Sequence, residues 1–193
     1  MFKNSKARLL AISDGVFAVV LTIMVLGVVV PARPTTALIG ITFRQIIIFL
    51  ISFGTVAQYW MLHQELFSAL KTVSVRVMII NFYYLALLSL IPFVTAWLGR
   101  ALFNRTAVLT FAVILVLVDL VQYLLFRVVM RESEQSPNEH DREEMRSTGM
   151  MFLISLSYIV IGGLFPKTLL ILVVLGMLMR TAVTHWYRHV HVR

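Results

Sequence analysis

The first apolar segment of the chain carries one stripe of aliphatic side chains with a single hydroxyl group among them. A helix turns about 100° per residue, so Thr22, Ile23 and Leu26 all lie within about 60° of Val19. These four residues, here called the first-helix stripe, carry one hydroxyl group and no titratable group. The stripe therefore gives the helix one specialised face, and side chains of this kind at helical spacing are typical of ordinary packing between helices.

Two polar residues of the same segment, Ser13 and Asp14, lie on the opposite side of the helix, more than about 100° from Val19. An ionised carboxylate inside a membrane helix is costly unless it is paired or hydrated. Asp14 can therefore pair with a neighbouring helix, or it can take part directly in gating or ion binding. Under either interpretation it faces protein and not lipid.

Further polar side chains interrupt later apolar segments. His63 follows Trp60 by three residues and shares its helix face. Asp119 lies in the middle of its apolar segment. Three environments are open for it: a subunit interface, a water-filled crevice or a path for proton transport. Asp14, His63 and Asp119 together leave open a proton- or ion-coupled secondary transporter. An enzyme is disfavoured, because no nucleophile constellation is present and His63 is the only histidine well inside an apolar segment.

The composition indicates that most of the chain is surrounded by lipid. Of 193 residues, 60% are hydrophobic and 13% are charged, and the mean hydropathy is +0.90. Soluble domains contain about 45–50% apolar and about 25% charged residues, so lipid must be the main solvent. The absence of cysteine excludes disulfides, thiolate nucleophiles and cysteine-ligated metals.

The apolar segments predict an all-α polytopic membrane protein with six transmembrane helices in a single domain, residues 1–193. A polar cytoplasmic loop is expected over residues 132–146, which are rich in acids. The six segments are Leu9–Val30, Ile46–Leu66, Val77–Leu98, Thr106–Phe126, Met150–Phe165 and Thr168–Tyr187.

Lysine and arginine positions predict the orientation, with both termini in the cytoplasm of a bacterial-type plasma membrane. Five of the 17 basic residues fall in outer loops under this topology, and the other 12 fall on the cytoplasmic side. The net charge of +8 then reflects topology, so we expect no nucleic-acid partner. The outer five are Arg33, Arg44, Arg100, Arg105 and Lys167.

The run Arg8–Ala18 resembles the motif R-x-x-x-F-S-D-G-x-x-A that opens the endosomal/lysosomal potassium channel family, with Ile12 in place of the usual phenylalanine. Trp60 and His63 are similar to the W-x-x-H pattern of that family. Asn81 and residues 90–95 resemble its third-helix pattern.

This resemblance implies a potassium-preferring cation channel, assembled as a homotetramer around the first helices of six-helix subunits. Rings of branched aliphatic side chains would form the constriction, since the chain has no T-V-G-Y-G loop. By position, the rings are Val19, Ile23 and Leu26, with Thr22 as a polar ring. The implied partners are potassium ions, membrane lipid and further copies of the chain, with no cofactor and no bound metal beyond the permeant ion. The resemblance also implies a structural polar network of Arg8, Ser13, Asp14, His63 and Asn81.

Overall fold

A computed structural model describes residues 5–33, 35–68, 70–133 and 139–191, and every element within these ranges is helical. This confirms the all-α fold class. The elements in chain order are α1 (Ser5–Ile23), a 3-10 turn (Met24–Gly27), α2 (Thr36–Ser68), α3 (Val75–Leu88), α4 (Ile91–Arg100), α5 (Arg105–Glu132), α6 (Glu139–Leu164), a short 3-10 turn (Pro166–Thr168) and α7 (Leu169–His191).

The helices have the length and composition of membrane spans. Among the residues described, five helical segments are long and apolar enough to cross a bilayer. Helix α7 adds 23 residues, which extend about 34 Å at 1.5 Å per residue. The five segments are Lys6–Gly27, Thr36–Ser68, Val75–Arg100, Arg105–Glu132 and Arg142–Leu164.

Helix α2 is longer than its predicted apolar segment. It begins at Thr36, ten residues before the predicted start at Ile46, and contains 33 residues. Hydropathy placed the boundary too late because Arg44 and Gln45 interrupt the apolar run. Polar side chains near a membrane surface end the hydrophobic pattern without ending the helix.

The third predicted span is broken into α3 and α4. Pro92 stands in the first turn of α4, and proline has no N–H to donate to the carbonyl four residues earlier. Helix α4 then packs closely against the 3-10 turn, since a Cβ atom on Gly27 would lie 2.8 Å from the Cβ of Ala96. A hydrogen bond of 3.0 Å from Thr95 to Ser52 holds α4 to α2.

The polar connection is shorter than predicted. Residues 139–146 were expected in a loop, but they form the first two turns of α6, and residues 134–138 lie outside the described residues. The expectation of a loop over 132–146 is therefore wrong for its second half. Glu143 lies near the start of the helix, where a carboxylate interacts favourably with the N-terminal end of the helix dipole.

Helix α1 packs through one face only. Phe17, Val20 and Met24 enter a core cluster with Tyr84 of α3 and side chains of α2, α4 and α5. Near the other end of α1, Leu9 enters a second cluster formed with the ends of α2, α3 and α5. On the opposite face of α1, Ile12, Val19 and Ile23 are about half exposed.

Candidate functional site

The first-helix stripe lies on the uncovered face of α1. Val19, Ile23 and Leu26 are 53%, 47% and 77% exposed. Phe17 and Val20, on the packed face, are 1% and 3% exposed. The two faces predicted from helical spacing are therefore distinct in the folded subunit, and the stripe is free for contact outside it.

A groove of about 800 Å³ runs along the stripe and is called here the stripe groove. Ile12, Val19, Ile23 and Leu26 form one wall, and α4 forms the other. The α4 wall consists of apolar and small side chains, with a single charged residue at its end. The residues lining that side are Ser89, Pro92, Phe93, Ala96 and Arg100.

Thr22 gives the stripe its single polar atom. Its hydroxyl donates to the carbonyl oxygens of Ala18 and Val19, at 2.8 and 3.1 Å. Because the proton is used by the helix backbone, the exposed oxygen can only accept a hydrogen bond or coordinate a cation. Thr22 therefore presents an electron-rich oxygen within an aliphatic surface.

The 3-10 turn changes the geometry at the end of the stripe. Residues three apart eclipse one another in a 3-10 helix, so Leu26 stacks over Ile23. The spacing of about 100° per residue therefore applies only as far as Ile23. Val25 is half exposed but is not among the residues that line the stripe groove, whereas Val20 is buried.

Three of the predicted network residues form a chain of hydrogen bonds between α1, α2 and α3. The Asn81 amide donates to Ser13 Oγ at 3.0 Å, and Ser13 donates to the Leu9 carbonyl at 2.8 Å. His63 Nε2 lies 2.8 Å from Asn81 Oδ1. Because Oδ1 can only accept, Nε2 carries the proton, and Nδ1 is left buried without a partner.

The other two predicted network residues lie elsewhere. Asp14 Oδ1 accepts a hydrogen bond from Trp60 Nε1 at 2.9 Å and another from the Gln64 amide. Arg8 is exposed and has no hydrogen bond or ion pair with any residue in the described ranges. The five residues predicted as one network are thus a buried triad (Ser13, His63 and Asn81), a separate contact from α1 to α2, and a free arginine.

A second buried polar cluster was not predicted from the sequence. Tyr59 donates to Asp119 Oδ1 at 2.8 Å, and buried Arg180 lines the same cavity of about 20 Å³. That volume is enough for about one water molecule. Arg180 points into the bundle, with Thr148 Oγ1 3.5 Å from its guanidinium.

The residues proposed for a transporter are not brought into one site. Asp14 bonds to Trp60 and Gln64, Asp119 bonds to Tyr59, and His63 bonds to Asn81. One feature of the sequence could have predicted the Asp119 cluster: an acid and an arginine in different membrane spans each need a polar or charged partner. The sequence did not indicate which helices would be neighbours.

Comparisons with known proteins give the family. The model of the endosomal/lysosomal potassium channel TMEM175 matches residues 8–92. A potassium channel of Chryseobacterium sp. (strain P1-3) is 35% identical over 133 residues, covering 68% of this chain and 69% of the relative. A potassium channel of Streptomyces collinus is 25% identical over 185 residues, covering 91% and 90%.

A solved structure shares the fold. The crystal structure of a lysosomal potassium-selective channel TMEM175 homolog from Chamaesiphon minutus aligns with a TM-score of 0.67 at 24% identity, covering 91% of this chain and 99% of that one. The relatives carry the names of channels and not of enzymes, which confirms that expectation. This multi-pass membrane chain therefore belongs to the endosomal/lysosomal potassium channel family TMEM175.

Proposed function

We propose that the protein is a potassium-preferring cation channel in which four copies surround a central pathway lined by the first-helix stripe. The observation that carries this proposal is the uncovered face of α1. A lipid-facing helix also exposes aliphatic side chains, but the exposed Thr22 oxygen and the family membership favour a pathway over a lipid contact. No cofactor is required beyond the permeant ion.

Because α1 packs within the subunit on one face only, its exposed face is left for contact with other copies of the chain. A head-to-tail contact between identical subunits closes into a ring when its rotation divides a full turn. Four copies would bring four stripes to one axis, where the four copies of each aliphatic residue would form a ring. The stripe groove would then lie beside the axis and receive side chains of the neighbouring subunit.

The constriction would act as a hydrophobic gate. A narrow aliphatic neck excludes water, and a cation passes only when the neck is wide enough to stay hydrated. Leu26, the most exposed member, stacks over Ile23, so the two rings reinforce one barrier. Potassium loses its hydration shell more easily than sodium, which gives a modest preference, and the Thr22 oxygens offset part of the lost hydration.

Ion flux in liposomes tests this assignment. Leu26→Asn should wet the neck, raise potassium flux and weaken the preference for potassium over sodium. Leu50→Asn on α2 is the matched control, since Leu50 is also an exposed leucine in a span but lies outside the stripe groove. Equal responses of the two variants at matched protein density would remove the pore-wall assignment.

The oligomeric state is tested separately in detergent. We expect the purified protein to have the mass of four 22.0 kDa chains after subtraction of bound detergent. A stable monomer or dimer that still conducts potassium would contradict the arrangement of four stripes around one axis.

A further inference from the structure

A second groove lies at the end of the bundle where α1 ends and α2 begins. It has a volume of about 500 Å³ and combines apolar walls with two arginines, Arg33 and Arg100. We call it the arginine groove. Its other lining residues are Val29, Pro31, Ala32, Leu38, Ile41, Thr42 and Gln45.

We propose that the arginine groove binds a phosphate anion, with the phosphate of an anionic lipid headgroup as its occupant. The first support is the lack of carboxylates nearby. Residues 15–64, 66–118 and 145–193, which supply every helix end at this side, contain no aspartate or glutamate. Within the described ranges, Arg33 and Arg100 are in no ion pair, so their positive charge is not neutralised.

The groove is held in shape before any ligand arrives. Gln45 Oε1 accepts a hydrogen bond from the Val29 N–H at 2.9 Å, and Thr42 donates to the Val29 carbonyl at 3.0 Å. Gly99 of α4 packs on Gln45, because a Cβ atom there would lie 3.3 Å from Gln45 Cγ. These contacts tie the segment after the 3-10 turn to α2 and α4. A preformed site loses little conformational freedom on binding.

The chemistry of the walls matches an amphiphilic anion. Guanidinium groups present planar pairs of donors that fit phosphate oxygens. Leu38 and Ile41 expose apolar surface beside them, where an acyl chain can lie. Basic pockets between transmembrane helices bind anionic lipid headgroups on the cytoplasmic side of membranes, and the arginine groove offers the same chemistry at the opposite end of the bundle. A free phosphate ion would satisfy the arginines equally but would leave the apolar wall uncovered.

Binding to this groove is independent of whether the protein conducts ions. Arg100 also lines the stripe groove, so a bound anion would lie beside the end of the stripe. That consequence rests on the proposed function, whereas the binding measurement does not.

The test uses the full-length protein in nonionic detergent, with short-chain phosphatidylglycerol, short-chain phosphatidylcholine and inorganic phosphate as probes in equilibrium binding. Phosphatidylglycerol should bind the unmodified protein at least about fivefold more tightly than phosphatidylcholine. Each of Arg33→Gln and Arg100→Gln should weaken phosphatidylglycerol binding about fivefold, and the double variant about 30-fold. Arg105→Gln is the control, because it removes an exposed arginine at the same end but outside the groove.

Equal affinities for the two lipids would overturn the proposal, and so would an equal loss of affinity in the Arg105 variant. The phosphate arm identifies the source of the anion. Phosphatidylglycerol binding far above that of inorganic phosphate supports the lipid. Binding of both probes at the same strength, with the same dependence on Arg33 and Arg100, supports a site for the free anion. Elution volume in size-exclusion chromatography confirms that each variant is folded.

Discussion

Replacing Asn81 by leucine should destabilise the protein without changing ion preference. Asn81 links α1 to α2 through its bonds to Ser13 and His63, and all three side chains are at most 1% exposed. Leucine has a similar volume, so the main effect is the loss of two buried hydrogen bonds. The stripe lies on the other face of α1 and should keep its shape.

The size of the loss in stability depends on which buried groups lose their last hydrogen-bond partner. Ser13 keeps its bond to the Leu9 carbonyl, so it loses only an accepted bond, at about 1 kcal/mol. His63 is left with no polar partner at either ring nitrogen, which costs about 1–3 kcal/mol. The total of about 2–4 kcal/mol corresponds to a fall in melting temperature of about 5–15 °C for a chain of this size.

The assay is thermal unfolding of the purified protein in detergent, followed by the loss of the native size-exclusion peak. A double variant, Asn81→Leu with His63→Phe, supplies the control, because replacing both partners by apolar groups is less harmful than orphaning one. The double variant should therefore be more stable than the sum of the two single losses predicts. Strict additivity, or a melting temperature unchanged by Asn81→Leu, would refute this account of the triad.

Three further variants test other contacts. Thr22→Val should lower potassium flux about fivefold with normal assembly, because it removes the ring of Thr22 oxygens, whose combined contribution we take as about 1 kcal/mol; unchanged liposome flux would contradict the polar ring. Gly27→Ala should cost about 1–3 kcal/mol through overpacking, whereas Gly15→Ala, which has nothing within 4 Å, should melt like the unmodified protein. Arg180→Met should lower stability by about 1–3 kcal/mol, because Asp119 keeps its hydrogen bond from Tyr59 but loses the cation that lines the same cavity. Adding Asp119→Asn should recover part of the melting temperature, and no recovery would contradict an interaction between the two side chains.

Features that depend on one helix were predictable from the sequence. The two faces of α1 follow from spacing alone, and the burial of Ser13 with the exposure of Val19 agrees with it. The pairing of His63 with Ser13 and Asn81 came from the family resemblance, since three residues in three segments carry no common period. The tetramer and the ion preference remain predictions.

Features that depend on contacts between helices were not predictable. The sequence did not indicate that the packing of α7 would bury Arg180 in the same cavity as Asp119. The 3-10 turn at residues 24–27 has no pattern in hydropathy, and its close contact between Gly27 and Ala96 joins segments that are far apart in sequence. The high charge of residues 139–146 predicted a loop, but a high charge does not prevent a segment from forming a helix.

The break between α3 and α4 gives the bundle a joint close to the narrowest part of the proposed pathway. Helix α4 has ten residues, so it is about 15 Å long. A tilt of about 10° at Ser89 and Leu90 would displace Ala96, about 9 Å along α4, by about 1.6 Å. The 3-10 turn rests on α4 through Gly27 and Ala96, so Leu26 would be carried with it. We therefore expect α4 to work as a short lever, in which a small rotation changes the neck radius by about half the width of a water molecule.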